Sequence, residues 1–100
     1  MKDYVSMSSG EIAERVGMAI GLHSIAGDLY IKDGIWTRFD PCNNPADAWP
    51  IIISSMISIR PVGSDGHLWE ASGMDGMKAD YDKNPLRSAM IVFLMMKEGK

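Results

Sequence analysis

Cysteine occurs once among the 100 residues and histidine twice, and no apolar run approaches the length of a membrane helix. Each scarcity excludes something. A single Cys42 cannot close an intramolecular disulfide or build a cysteine zinc site, and it fits a reducing compartment. The longest apolar-rich stretch, Ser88 to Met96, is far shorter than the ~20 residues that span a bilayer, so no membrane association is expected. The opening MKDYVSMSSGE predicts no secretory leader. Positive charge is also in short supply. Ten Lys and Arg against thirteen Asp and Glu leave a net charge of −3, which excludes the basic face that duplex nucleic acid requires. A small anion stays compatible with this balance, because a helix N-terminus and one or two arginines suffice to hold phosphate.

Catalytic punctuation is missing too. There is no Gly-rich phosphate loop and no local Ser-His-Asp signature, and neither His23 nor His67 sits in a motif that would activate Cys42. Asp47, Glu70 and Asp75 lack the spacing of a metal loop. The reading is therefore a non-enzyme with no catalytic residues, no metal and no cofactor. Cys42 reads more readily as a small buried residue than as a nucleophile.

What is present describes a single domain over residues 1–100. A hydrophobic content of 46% supports one modest core, and a charged content of 23% argues against disorder. Ser8 followed by Glu11 has the form of a capping box, and Ile12, Val16, Ala19 and Ile20 recur at helical spacing until Gly21. A first helix is expected over Ser9 to Ile20. Asp33-Gly34 between two β-prone runs predicts a tight hairpin, with Leu29, Ile31, Ile35, Thr37 and Phe39 on the buried side and Tyr30, Trp36 and Arg38 on the other. Asn44-Pro45-Ala46-Asp47 predicts a second helix start, with a kink at Pro50 and a buried stripe of Trp49, Ile52, Ile53 and Met56. A second hairpin is expected from residues 58–62 and 67–71, with Pro61 marking a sheet edge and residues 63–66 as its loop. Residues 73–83 show no period and read as a loop. Asn84-Pro85 repeats the earlier device and opens a third helix, apolar around much of its girth. The fold class is α+β: a small layered domain in which an antiparallel sheet of two hairpins meets three helices, in the order α-ββ-α-ββ-α.

The two Asn-Pro starts are the most suggestive feature for function. Each presents free backbone N–H groups at a positive helix end. Arg87 lies one turn inside the third helix, and Trp49 and Trp69 could offer stacking surfaces. Asn43, Asn44, Asp47, Trp49, Trp69, Asn84 and Arg87 are accordingly the candidate ligand-binding residues, for a small anionic or nucleotide-like molecule. Plain capping, with Arg87 paired to a nearby acid, accounts for the same residues. A second class of function is a module that binds and diverts another protein, for which small size, acidity and nine methionines speak. Met90, Met95 and Met96 and the apolar last helix also suit a homo-oligomer.

The segments CNNPADAWPIIISSMISI and NPLRSAMIVFLMMKE, with the opening MKDYVSMSSGEIAERVGMAIGL, resemble the NinX family of lambdoid phage proteins. The resemblance covers nearly the whole chain. It implies an α-β-α layered domain and a phage accessory protein made in the host bacterial cytoplasm, and it implies no activity. Its accessory-gene context adds to the reading of a module that diverts a host factor, while a host signal would be the ligand under the small-anion reading.

Overall fold

The structure is a computed structural model that describes residues 4–22, 24–26, 29–63, 67–74, 76 and 78–98. A 3₁₀ turn, Tyr4–Ser6, leads into α1, Ser9–Ala19. The first sheet contains β1 (Ser24–Ala26), β2 (Leu29–Lys32) and β3 (Ile35–Arg38). Helix α2, Pro45–Ser55, follows. The second sheet contains β4 (Ser58–Val62), β5 (Leu68–Ser72) and β6 (Ala79–Asp82), and α3, Pro85–Glu98, closes the chain. Both sheets are antiparallel, with strands in sequence order. The α+β class and the alternation of helices with hairpins are as expected. Each hairpin belongs to its own sheet rather than to a common one, and each gains a third strand.

Local chemistry sets the helix ends. The Glu11 amide donates to Ser8 Oγ at 3.1 Å, and the Ser8 amide donates to Glu11 Oε1 at 2.9 Å, which is the full capping box. At the other end of α1, the Leu22 amide reaches back to the Gly17 carbonyl at 2.8 Å and Gly21 supplies a φ of 92°. Helix α2 ends the same way, with the Ile57 amide on the Ile52 carbonyl at 3.0 Å, but the left-handed position is Met56, with φ 55°. This is the closing motif in which buried residues on either side of the left-handed one meet, here Ile52 and Ile57. Asp33 and Gly34 take φ values of 55° and 78°, the pair of positive angles that a two-residue hairpin turn demands.

The middle layer is a helix. From Ser88 to Leu94 every residue of α3 is buried. One side lies on the second sheet, and the others meet α1 and α2. Ile12, Val16, Ala48, Ile51, Ile52, Ile57 and Ala71 complete the core around it. The first sheet is joined to this body near its base. Tyr30 and Phe39 meet edge to face, with centroids 5.9 Å apart at 81°, and Phe39 sits on the bare backbone of Gly17.

Four expectations are corrected. Across the first hairpin Tyr30 pairs with Thr37 and Ile31 with Trp36, so odd positions of one strand share a face with even positions of the other. A two-residue turn always pairs residues of opposite parity, so the odd positions of β2 and β3 cannot form one side. Tyr30 is buried, whereas Ile31 and Ile35 are exposed. In α2 the inward residues are Ala48, Ile51 and Ile52, while Trp49, Ile53 and Met56 face outward. Ala48 is fully buried, and its small side chain lets that turn of the helix lie close to the core. Helix α2 also runs unbroken through Pro50, which forfeits one backbone bond. Within residues 73–83 the structure holds β6, whose inward positions are Asp80 and Asp82, so no apolar alternation betrays it. His23, Asp28, Asp75 and the loop residues 64–66 lie outside the described residues.

Gly17 yields a direct test of this packing. A Cβ placed there would meet Phe39 and Leu22 at 3.6–3.7 Å, an ordinary contact distance. Gly17→Ala should therefore keep the fold and, by removing glycine's entropic cost inside a helix, raise stability by about 0.5–1 kcal/mol. Urea denaturation measures it, and a loss of stability would show that the hairpin base needs a closer approach than this.

Candidate functional site

The loop before α2 and the turn before α3 meet at one junction. Asn84 is its centre. Its Nδ2 donates to the Cys42 carbonyl at 2.7 Å, and its Oδ1 accepts from the amides of Leu86 at 2.9 Å and Arg87 at 3.2 Å. Its own amide donates to Asp82 Oδ1 at 2.9 Å. On the α2 side, Asn44 Oδ1 accepts from the Ala46 amide at 3.0 Å, Asn43 Nδ2 spans both Asp40 carboxylate oxygens, and the Asp40 amide donates to Asp47 Oδ2 at 2.9 Å. The two helix starts are thus capped by their own asparagines, and the caps are tied together across 42 residues of chain.

Arg87 carries the junction further. Its Nε lies 3.3 Å from Asp82 Oδ2, Nη1 donates to Ser9 Oγ at 3.3 Å, and Nη2 donates to the carbonyls of Met7 at 2.6 Å and Val5 at 3.1 Å. The guanidinium fork is almost fully occupied, and its side chain is only 14% exposed. Cys42 lies buried beside it. Burial pushes the Cys42 thiol up to about 11, against the opposing pull of Arg87 and Ser9, so the group is a neutral thiol at physiological pH.

Five of the seven candidate residues therefore share one neighbourhood: Asn43, Asn44, Asp47, Asn84 and Arg87. Two lie elsewhere. Trp49 projects from the outer side of α2 and Trp69 is half-buried on β5, between Pro61 of β4 and Asp82 of β6. Two residues of the same junction escaped the sequence reading. Asp82 partners Arg87, and Asp80 sits two positions before it with Oδ2 buried and without a hydrogen bond. The signal for both was i, i+2 spacing of acids in a stretch that read as loop. Burial raises the Asp80 pKa, Asp82 adds to the shift, and Ser88 and Arg87 oppose it.

Away from the junction, an open groove of about 630 Å³ runs between α1 and α3, lined by Glu14, Arg15, Met18, Ala19, Lys97 and Glu98. Two of its four charged residues answer each other. Arg15 forks onto Glu98 at 3.0 and 3.2 Å, and the Tyr4 hydroxyl donates to Glu98 Oε1 at 2.8 Å. On the outer face of the second sheet, Glu70 accepts from the Tyr81 hydroxyl and from Arg60, which together lower its pKa. Among the described residues no group of three or more His, Cys, Asp or Glu side chains could hold a metal ion, and no helix is long and apolar enough to cross a membrane.

Residues 5–97 match the family described as Bacteriophage P22, NinX. The chain belongs to this family. No curated protein matches it. Among the exposed large apolar side chains of the described residues, six lie in two groups, while others such as Val5, Met18 and Met74 lie elsewhere. The tip of the first hairpin presents Ile31, Ile35 and Trp36 at 51%, 66% and 60% exposure. The outer side of α2 presents Trp49, Ile53 and Met56, each more than half exposed.

The half-buried Asp80, with Oδ2 out of water, gives this chain a pH signature. Folding raises this pKa above its unfolded value, so the ionised carboxylate costs stability at neutral pH, and that cost vanishes as pH falls below the ordinary Asp range. Asp80→Asn should therefore stabilise the fold at pH 7 and leave it unchanged near pH 3, as measured by urea midpoints across pH. Equal midpoints at pH 7 would mean that Oδ2 is adequately solvated or paired.

Proposed function

We propose that this NinX chain is a non-enzymatic phage accessory module that works in the host bacterial cytoplasm by binding and diverting a host protein, with the tip of the first hairpin as its contact. The observation that carries this reading is the exposure of Ile31, Ile35 and Trp36 together beside a tight turn. Ile31 and Trp36 are direct cross-strand neighbours on one face, and Ile35 is on the other. A tryptophan and two isoleucines held in water cost solvation that burial against a partner would recover. Tryptophan is also the residue most often found at the energetic centre of protein interfaces. Asp33 lies in the turn itself, and Arg38 lies two residues beyond Trp36 at the far end of the same strand, so charges of both signs border the apolar group.

The alternative, capture of a small anionic or nucleotide-like ligand at the Asn-Pro helix starts, has less support. The N–H groups of α3 are capped by Asn84, and the Arg87 fork is occupied by Asp82, Ser9 and two carbonyls. An anion would have to displace these partners.

Affinity capture from bacterial lysate distinguishes the two. The wild-type chain should retain a host protein that Trp36→Ala weakens by about 2 kcal/mol or more, while Arg87 and the Asn-Pro starts remain unchanged. Retention that is indifferent to Trp36, or thermal stabilisation by a nucleotide with no retained protein, would overturn the reading.

A further inference from the structure

We infer that β3 is an open sheet edge and that, granted the host-protein reading on which this rests, the partner supplies an extended segment that pairs with β3 as a fourth strand. Backbone geometry sets the hydrogen bonds on offer. β3 is the last strand of its sheet, with β2 on its inner side. Lys32 and Ile35 close a two-residue turn, so they exchange both backbone hydrogen bonds, and the next such pair along the ladder is Tyr30 with Thr37. Trp36 falls between them, opposite Ile31 in a pair that shares no backbone bond, so its N–H and carbonyl are directed away from β2 to the outside of the sheet. A donor and an acceptor side by side on a strand edge are matched by another extended backbone.

The remaining outer strands are guarded. Among the described residues the two sheets end in β1, β3, β4 and β6. β1 is three residues long, and its register shifts between Ser24 and Ala26. β4 carries Pro61, which has no N–H to offer. β6 turns Asp80 and Asp82 inward. Short length, bulges, proline and inward charge are the devices by which proteins keep an edge from pairing. β3 has no proline, acid or register shift, and Ile35, Trp36 and Thr37 all favour strands. Its one charge, Arg38, stands at the end farthest from the turn.

The side chains point to the same occupant. Exposed apolar groups lie on both faces of the hairpin, Ile31 and Trp36 on one and Ile35 on the other. A flat partner surface covers a single face. A strand laid beside β3 alternates its side chains, so it packs against Trp36 on one face and Ile35 on the other, and β-branched or aromatic residues suit both positions. The edge is four residues long, roughly 13 Å, and buried Phe39 follows it directly. A single extended segment fits that length, whereas a second copy of this chain brings its whole body along with its edge.

Chemical synthesis of the full chain with an N-methyl group on the Trp36 amide removes the outward donor and leaves every side chain in place. The residue before an N-alkylated amide favours extended backbone, which Ile35 already adopts, so the urea midpoint should match that of the unmodified chain. An ester in place of the Trp36 amide, which removes the donor without added bulk, is the second variant. The probe is a displayed library of random linear peptides selected on the unmodified chain. Selected peptides should slow hydrogen exchange at the Trp36 amide at least about tenfold, and the N-methyl chain should bind them about tenfold or more weakly, with the ester also weaker than the unmodified chain. Selection of no peptide, peptides that leave exchange at Trp36 unchanged, or equal binding to the unmodified chain and both variants would overturn the edge. Slowed exchange at Trp36 on raising the concentration of the chain alone would assign the edge to a second copy and overturn it as well. Host-protein capture that is lost with Trp36→Ala but kept by the N-methyl chain would leave the host-protein reading standing and remove the added strand.

Discussion

The Arg87 guanidinium is the interaction on which the rest of the arrangement depends. It sits at the first turn of the helix that forms the middle of the domain, and it bonds to three separate parts of the chain. Asp82 ends the last strand of the second sheet, Ser9 begins α1, and the carbonyls of Val5 and Met7 belong to the turn before it. Asn84, three residues earlier, adds the Cys42 carbonyl and so the loop before α2. A planar, permanently charged fork is the one side chain able to satisfy a carboxylate, a hydroxyl and two carbonyls at once. With these groups satisfied, α3 can be buried from Ser88 to Leu94 without orphaned backbone at its start.

That economy has a functional consequence. The polar residues most suggestive of a ligand cleft serve to hold elements together, so the junction has little left with which to bind an anion. The exposed apolar side chains lie away from it, those of the first hairpin tip and of the outer side of α2 among them.

Much of the architecture was readable because its causes are local. A capping box, an Asp-Gly turn and two Asn-Pro starts are contained within four residues each, and all appear where expected. What escaped was decided by distant residues or by geometry across a turn. The burial of Tyr30 follows from the parity of a two-residue hairpin and from Phe39 on Gly17. Ala48 rather than Trp49 faces inward, where that turn of the helix lies close to the core. Strand β6 hides its pattern because its inward residues are acids, one of them answered by Arg87. The candidate site was half visible. That Asn44 and Asn84 cap helices is written in the sequence, but that Arg87 reaches chain some eighty residues earlier is not.

The central claim is that Arg87 unites these elements through its fork. Hydrogen exchange of Arg87→Lys under native conditions tests it most directly, since lysine keeps the charge and loses the planar donors. The account predicts that the amide of Met7 and those at the start of α3, such as Leu86, exchange at least about tenfold faster, a local loss of roughly 1–3 kcal/mol. Amides paired across β2 and β3 should keep their protection. Unchanged exchange at Met7 and Leu86, or an equal loss everywhere including the hairpin, would contradict it.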